Sequence, residues 1–293
     1  MENIERVQAR LDNIRSVQPI LEALRTISLG SWQAAQKQRA AAQQYEDRLV
    51  EMAAQLQPHL RQKRLAGWGI HQPPQRIAIL VIGSERGLCG RFNRAITEKT
   101  NQYIMELAKA GQQVSLFAVG NRLCRYLQHQ QHPLAWTSQL PKTPAALSQL
   151  AFDLTQGWLA DYEACNLDAV DVIFNAYQGV GRYAPTVTRL IPPASLWQTG
   201  RISKQADPFL TIETDPLNLF IHIIIQQMTF ALYTRLLESA AAEHSTRYQL
   251  MEAATQNAKR LIDELTISVQ TARRQAITEE MQTLVAGAGL VRS

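Results

Sequence analysis

Gly83-Ser-Glu-Arg-Gly-Leu-Cys-Gly90 joins a short apolar run to a helical pattern. Glycines in such a place let the backbone wrap an anion at a helix N-terminus, so the loop could cradle a phosphate. It matches neither G-x-x-x-x-G-K-[ST] nor G-x-G-x-x-G, and no lysine stands in it to meet a β- or γ-phosphate. A tight strand-to-helix turn built on Gly83, Gly87, Cys89 and Gly90 is the plainer reading. Cys89 would need a base beside it to act as a nucleophile, and the neighbouring Glu85 and Arg86 include no histidine. A small, partly buried thiol fits better. His129-x-x-His132 has the spacing of metal ligands, but no second Cys/His pair matches it and Pro133 interrupts any helix there. It reads as a surface loop. Neither G-x-S-x-G nor H-E-x-x-H occurs. The residues thus supply no catalytic constellation, metal centre or cofactor site. One basic group remains: Arg273-Arg274, with Arg247 upstream, is either a solvated face or a patch that meets carboxylates on another protein. Lys259-Arg260 with Asp263-Glu264 reads as an ordinary salt-bridged helix face.

Composition narrows the classes further. The 293 residues are 46% hydrophobic and 19% charged, which argues against wholesale disorder and allows one or two domains with a real core. Thirty basic against twenty-five acidic residues give +5, compatible with an acidic partner and too weak to argue for nucleic acid. Three cysteines without a C-x-x-C pair exclude a disulfide scaffold and a structural zinc site. The opening MENIERVQARLDNIR lacks the apolar run of a secretory signal. Leu217 to Tyr233 is the most apolar segment, but His222, Gln226 and Gln227 leave it short of an uninterrupted span of ~18–20 residues. No direct membrane span is expected.

The elements that hold these residues fall into three zones. In residues 1–60, Ile4, Val7, Leu11, Ile14, Val17, Leu21 and Leu24 step by three and four, which predicts one stripe of a long helix ending by Pro58. Residues 74–200 change period. Apolar runs at 76–83, 114–120, 169–176 and 186–191 predict strands, and 92–110, 121–131 and 143–165 predict helices between them. That alternation is a Rossmann-like α/β domain. Residues 212–293 form the third zone, opened by Asp215-Pro216 as N-cap and first turn. No glycine then appears until Gly287, which predicts a helix of about 105 Å. Its far half carries Met251, Ala254, Ala258, Leu261, Leu265, Ser268 and Ala272, a heptad seam with small residues for a close partner. The N-terminal helix is the expected partner, in an antiparallel coiled coil; an intermolecular coiled coil or a bundle is the alternative.

Three separated stretches carry a family resemblance. They are Ile4 to Gln36; Ser84-Glu-Arg-Gly-Leu-Cys-Gly90; and Glu252-Ala-Ala-Thr-Gln-Asn-Ala with Leu261-Ile-Asp-Glu-Leu, Ala272-Arg273, Gln275-Ala-Ile-Thr278 and Val285-Ala-Gly-Ala-Gly. Over essentially its whole length the chain resembles the gamma subunits of rotary F-type ATP synthases. The resemblance implies a non-catalytic central stalk, one copy per complex, whose paired terminal helices sit inside a ring of α and β subunits. Its α/β domain would rest on the c-subunit ring beside the epsilon subunit. It also implies a peripheral position on the cytoplasmic or equivalent face of an energy-transducing membrane. Leu24, Arg247 and Arg273 match family positions that approach acidic loops of the β subunits, and Leu284 to Val291 matches the apolar tip. The chain departs from the family in several places. Thr271-Ala-Arg-Arg274 stands where K-A-R-Q is common, which adds Arg274. Pro19 lies within the N-terminal helix and should kink it, at about 3 kcal/mol unless compensated. Gly30-Ser-Trp32 replaces an Ala/Lys-rich stretch. These features suggest a divergent branch, serving an alternative ion-translocating ATPase. Two other readings stay open on the residues: a Rossmann-like nucleotide-binding enzyme with helical extensions, and a tether that dimerises through its C-terminal helix.

Overall fold

A computed structural model describes residues 2–56, 59–60, 74–193 and 212–287. The elements in chain order are α1 (Glu2–Leu56), β1 (Arg76–Ile82), α2 (Phe92–Lys109), β2 (Gln113–Val119), α3 (Asn121–His129), β3 (Leu134–Ser138), α4 (Pro144–Glu163), β4 (Ala169–Gly179), β5 (Arg182–Ile191) and α5 (Pro216–Gly287). The chain divides into two units. One holds Gly30–Thr246, the other Met1–Leu29 with Arg247–Ser293, and α1 and α5 contribute to both.

The larger unit is a mixed sheet in the order β3-β2-β1-β4-β5, parallel except for the antiparallel β4–β5 pair. The central β1 is buried on both faces, as its unbroken apolar run requires. Ala78, Leu80 and Ile82 point to one side, into a core shared with α4 and with Ala42–Leu56 and Phe220–Leu237 of the long helices. Ile77, Ile79 and Val81 point to the other, against Ile96 and Leu107 of α2 and Leu123 and Leu127 of α3. The apolar part of α5 is therefore core. That helix has an 18-residue window of mean hydropathy 1.2, long and apolar enough to cross a membrane, yet 44% of the window is buried inside the protein.

Local chemistry explains the boundaries. Thr143 caps α4 by accepting from the Ala146 N–H, with Pro144 in the first turn. Asp215 does the same for α5, accepting from the Asn218 N–H at 3.2 Å. The sheet differs from the sequence expectation at its edges. β3 is a short edge strand with alternating partial burial, too weakly apolar to stand out. β5 begins at Arg182 rather than Thr186, because Gly179 (φ 132°) and Gly181 (φ 65°) turn a hairpin directly out of β4.

In the smaller unit, the covered face of α1 comprises Ile4, Val7, Leu11, Ile14, Gln18, Leu21, Arg25 and Ser28. Val17, expected on that face, is 47% exposed. On α5 Met251, Thr255, Ala258 and Val269 are buried, and Ala254, Leu261, Ile262, Leu265 and Ala272 are half-covered beside them. Ser268, expected in the seam, is exposed and Val269 takes its place. The other six expected seam residues are buried or half-covered. α1 continues through Pro19, which lies on the exposed side where water can satisfy the carbonyl left without its N–H partner.

Candidate functional site

At the C-terminal edge of the sheet, the loop after β1 meets the N-terminus of α3. This is where an open α/β sheet binds its ligand, beside the point at which strand order reverses. The Gly83 N–H donates to the Val119 carbonyl at 2.9 Å. A Cβ on Gly83 would lie 2.4 Å from the Leu123 Cβ, and one on Gly120 (φ 107°) would lie 2.7 Å from the Gly83 carbonyl oxygen. Two backbones pass in contact here. The buried Ser84 and Asn93 close the loop on itself: Ser84 N–H donates to Asn93 Oδ1 at 3.0 Å, and Asn93 Nδ2 to Ser84 Oγ at 2.7 Å.

Glu85 fills the remaining anion position. Its carboxylate accepts from the Asn121 N–H at 3.0 Å, from Asn121 Nδ2 at 2.5 Å and from the Leu140 N–H at 2.9 Å. A carboxylate at a helix N-terminus satisfies the orphan donors and the dipole that would otherwise attract phosphate. Of the expected turn residues, Gly83 is demanded by contact and Gly90 by its φ of 58°. Gly87 has open space around a built Cβ and no positive φ, so nothing local requires it. Cys89 is buried in a small cluster with Phe92 and Ala242, and its Sγ donates to the Arg86 carbonyl at 3.7 Å. Burial pushes the Cys124 thiol up, with the nearby Glu85 charge adding to it. His129 closes α3, and among the described residues no three His, Cys, Asp or Glu side chains gather to hold a metal.

The second candidate lies in the smaller unit. Arg25 donates to Glu252 at 2.7 Å, and Lys259 pairs with Glu22 at 3.3 Å. Arg15 donates to Thr266 Oγ1 at 3.5 Å and Arg273 to Gln8 Oε1 at 3.4 Å. The hydrogen bond to Glu252 raises the Arg25 pKa, and Arg25 lowers that of Glu252 in turn. Glu22 is lowered first by Gln18 and then by Lys259. As the α1 number falls, the α5 number rises. Arg273 and Arg274 are exposed, and Leu24 is half-covered. Arg247 departs from expectation: it is only 7% exposed and offers a partner little surface. The tip expected at Leu284 to Val291 is described as far as residue 287, where Leu284 is 67% and Val285 41% exposed; the rest lies outside the described residues.

Sequence reasoning missed a buried cluster behind the sheet edge. Asp171 on β4, 1% exposed, accepts from Arg189 on β5 and from the Tyr103 hydroxyl of α2 at 2.7 Å. Burial, and then the bond to Asp171, push the Tyr103 pKa up to about 12. An acid inside an apolar strand was the available signal. Its partner could not be found without the hairpin that sets Arg189 opposite Asp171.

Three comparisons bear on this geometry. The family model described as ATP synthase matches residues 3–290. The ATP synthase gamma chain of Gloeobacter violaceus is 29% identical over 315 residues, covering 98% of this chain and 99% of that one. The gamma chain of Thermosynechococcus vestitus is 28% identical, with both chains covered completely. Among solved structures, a chain of the Euglena gracilis mitochondrial ATP synthase OSCP/F1/c-ring superposes with a TM-score of 0.62 at 15% identity, covering 100% of this chain and 97% of that one. A chain of the Tetrahymena thermophila mitochondrial central stalk/c-ring gives 0.57 at 18% identity, covering 80% and 99%.

Proposed function

This chain belongs to the ATP synthase family, and from that membership we infer that it is a central-stalk subunit of an F-type ATP synthase, a gamma-type rotor part that performs no bond chemistry. The observation that carries the reading is the extent of the match. It runs from residue 3 to 290 and so includes both long helices, where a shared sheet domain alone would say little. Glu85 supports it from the other side, because the loop that could have held a nucleotide phosphate is filled by the chain's own carboxylate.

In this reading the outer parts of α1 and α5 form an antiparallel coiled coil that enters a head of α and β subunits. The sheet domain meets the c ring, with epsilon beside it, one copy per complex. The complex sits on an energy-transducing membrane, with this subunit peripheral to it on the cytoplasmic or equivalent face. The mechanism follows from asymmetry. A rotor that presents a different face to each of several equivalent catalytic subunits contributes a different contact energy to each, and so shifts each toward a different nucleotide affinity. Arg273, Arg274 and Leu24 would make such contacts, a reading supported by the exposure of the two arginines.

Reconstitution with α and β subunits tests the reading. The chain should co-assemble and make ATP hydrolysis depend on its presence, while nucleotide titration of the chain alone, followed by tryptophan fluorescence, shows no saturable change. Saturable nucleotide binding without co-assembly would overturn the stalk in favour of a nucleotide-binding enzyme.

A further inference from the structure

The polar contacts between the outer parts of α1 and α5 fall into a numerical order. Glu22 meets Lys259, Arg15 meets Thr266 and Gln8 meets Arg273. Each step moves seven residues down α1 and seven up α5, so the three contacts repeat at one heptad. Arg25–Glu252 lies beside them. The covered positions on both helices share that period, since Leu11, Gln18 and Arg25 repeat by seven, as do Met251, Ala258, Leu265 and Ala272. An antiparallel pair with so regular a seam has a dangerous alternative. Sliding one helix by a whole heptad, about 10.5 Å, keeps every covered position opposite another covered position. Within the outer seam, packing alone penalises that slip weakly.

We propose that the charges flanking the seam are a register lock that opposes heptad slip in both directions. The proposal rests on the helix pairing of the stalk reading. In one direction the slip sets Arg15 against Arg273 and Arg25 against Lys259. In the other it sets Arg15 against Lys259 and Glu22 against Glu252. Either way both native ion pairs are lost and two like-charge contacts replace them. Arg15 and Arg273 meet neutral acceptors in the native register, Thr266 and Gln8. They add little attraction there, and that is consistent with a role in excluding the wrong registers. Exposed ion pairs are individually weak: the Lys259 and Glu22 side chains are 58% and 40% exposed. Their sign pattern is what discriminates. A helix pair that transmits torque is the kind of element that needs one fixed register.

Spin labels on Ile20→Cys and Ile277→Cys, both 58% exposed in the native chain, read the register in the full-length protein once the exposed Cys165 is changed to Ser. In the native register the labelled residues are offset by about 24 Å along the axis, against about 14 Å after one slip and about 35 Å after the other. Arg15→Glu with Arg25→Glu turns both repulsions of the first slip into attractions and sets residue 25 against Glu252. The distance distribution should shift toward the shorter value. Glu22→Lys with Lys259→Glu preserves the native pair while turning both repulsions of the second slip into attractions, so a longer population should appear beside the native one. If both variants keep the wild-type distance, charge does not set the register and the proposal fails. A wild-type distance unrelated to 24 Å would instead overturn the helix pairing on which it rests.

Discussion

Asp171 shows how much one side chain can demand. A carboxylate 1% exposed in the middle of a sheet is tolerable only when paired, and Arg189 and Tyr103 supply the donors. Replacing Arg189 by Met leaves that charge buried and uncompensated, and should cost about 3–5 kcal/mol in a denaturant titration. Tyr103 adds a pH signature. Its folded pKa of about 12 exceeds the ordinary 10.0, so the folded chain holds the phenolic proton more tightly than the unfolded one. Its contribution is complete below pH 10 and disappears as pH rises toward 12. The Tyr103→Phe variant should therefore lose the part of the alkaline stability decline that falls in that window, and ultraviolet titration should show one late tyrosine fewer. A decline identical in the two proteins would remove Tyr103 from the account. Asp168 works with the opposite sign at the start of β1, where Arg76 holds its carboxyl below the usual range, so its contribution fades only in acid. None of these pairings can be read locally, because partners such as 171 and 189 become neighbours only when the hairpin closes.

Among the elements, period was easier to read than face. The spacing of three and four in α1 holds, but the covered stripe takes in Gln18 and Arg25 beside the half-covered Leu24, and leaves Val17 exposed. A hydrophobicity argument cannot anticipate that, because Gln18 is held by Glu22 one turn on, and other polar residues by partners on the other long helix: Arg25 by Glu252 in one unit, Glu46 by Arg235 in the other. Burial pushes the Glu46 pKa up while Arg235 opposes the shift. β1 was legible because burial on both faces leaves an unbroken apolar run, whereas β3 and the start of β5 lie at the sheet edges and carry no such signature. Two glycines separate structural need from local preference. Gly83 is pressed against Leu123, so Gly83→Ala should destabilise by about 1–3 kcal/mol through overpacking. Gly30 lies inside α1 with nothing near a built Cβ, and Gly30→Ala should stabilise by about 0.5–1 kcal/mol. Thermal melts of the two variants should move in opposite directions. A destabilised Gly30→Ala would mean that the glycine answers a constraint within the chain itself that the open space around it does not account for.

For the molecule as a whole, the question is which arginines are committed inside the chain and which remain for a partner. The sequence groups Arg247, Arg273 and Arg274 by charge, the first two also by family position, with a net +5 as background. Folding separates them, since burial depends on the helix face and a residue's neighbours in sequence do not fix that face in advance. Arg247 is buried, Arg273 is exposed but reaches Gln8, and Arg274 is exposed with no ion-pair partner among the described residues. Their variants should therefore differ. In a complex reconstituted with α and β subunits, Arg274→Ala should lower coupled ATP hydrolysis while leaving the melting temperature of the free chain unchanged, as the proposed contact with carboxylates of a partner requires. Arg273→Ala should also lower the melting temperature slightly, since it releases Gln8. Arg247→Ala should act chiefly on the free chain, through the packing it loses. The double Arg273→Ala, Arg274→Ala variant then reports on coupling: a loss larger than the sum of the single losses places both guanidiniums in one contact. If Arg274→Ala leaves hydrolysis unchanged and salt dependence unaltered, the extra charge belongs to a solvated face, and the docking surface must be sought among the exposed apolar residues Ile20, Ile27 and Ile267.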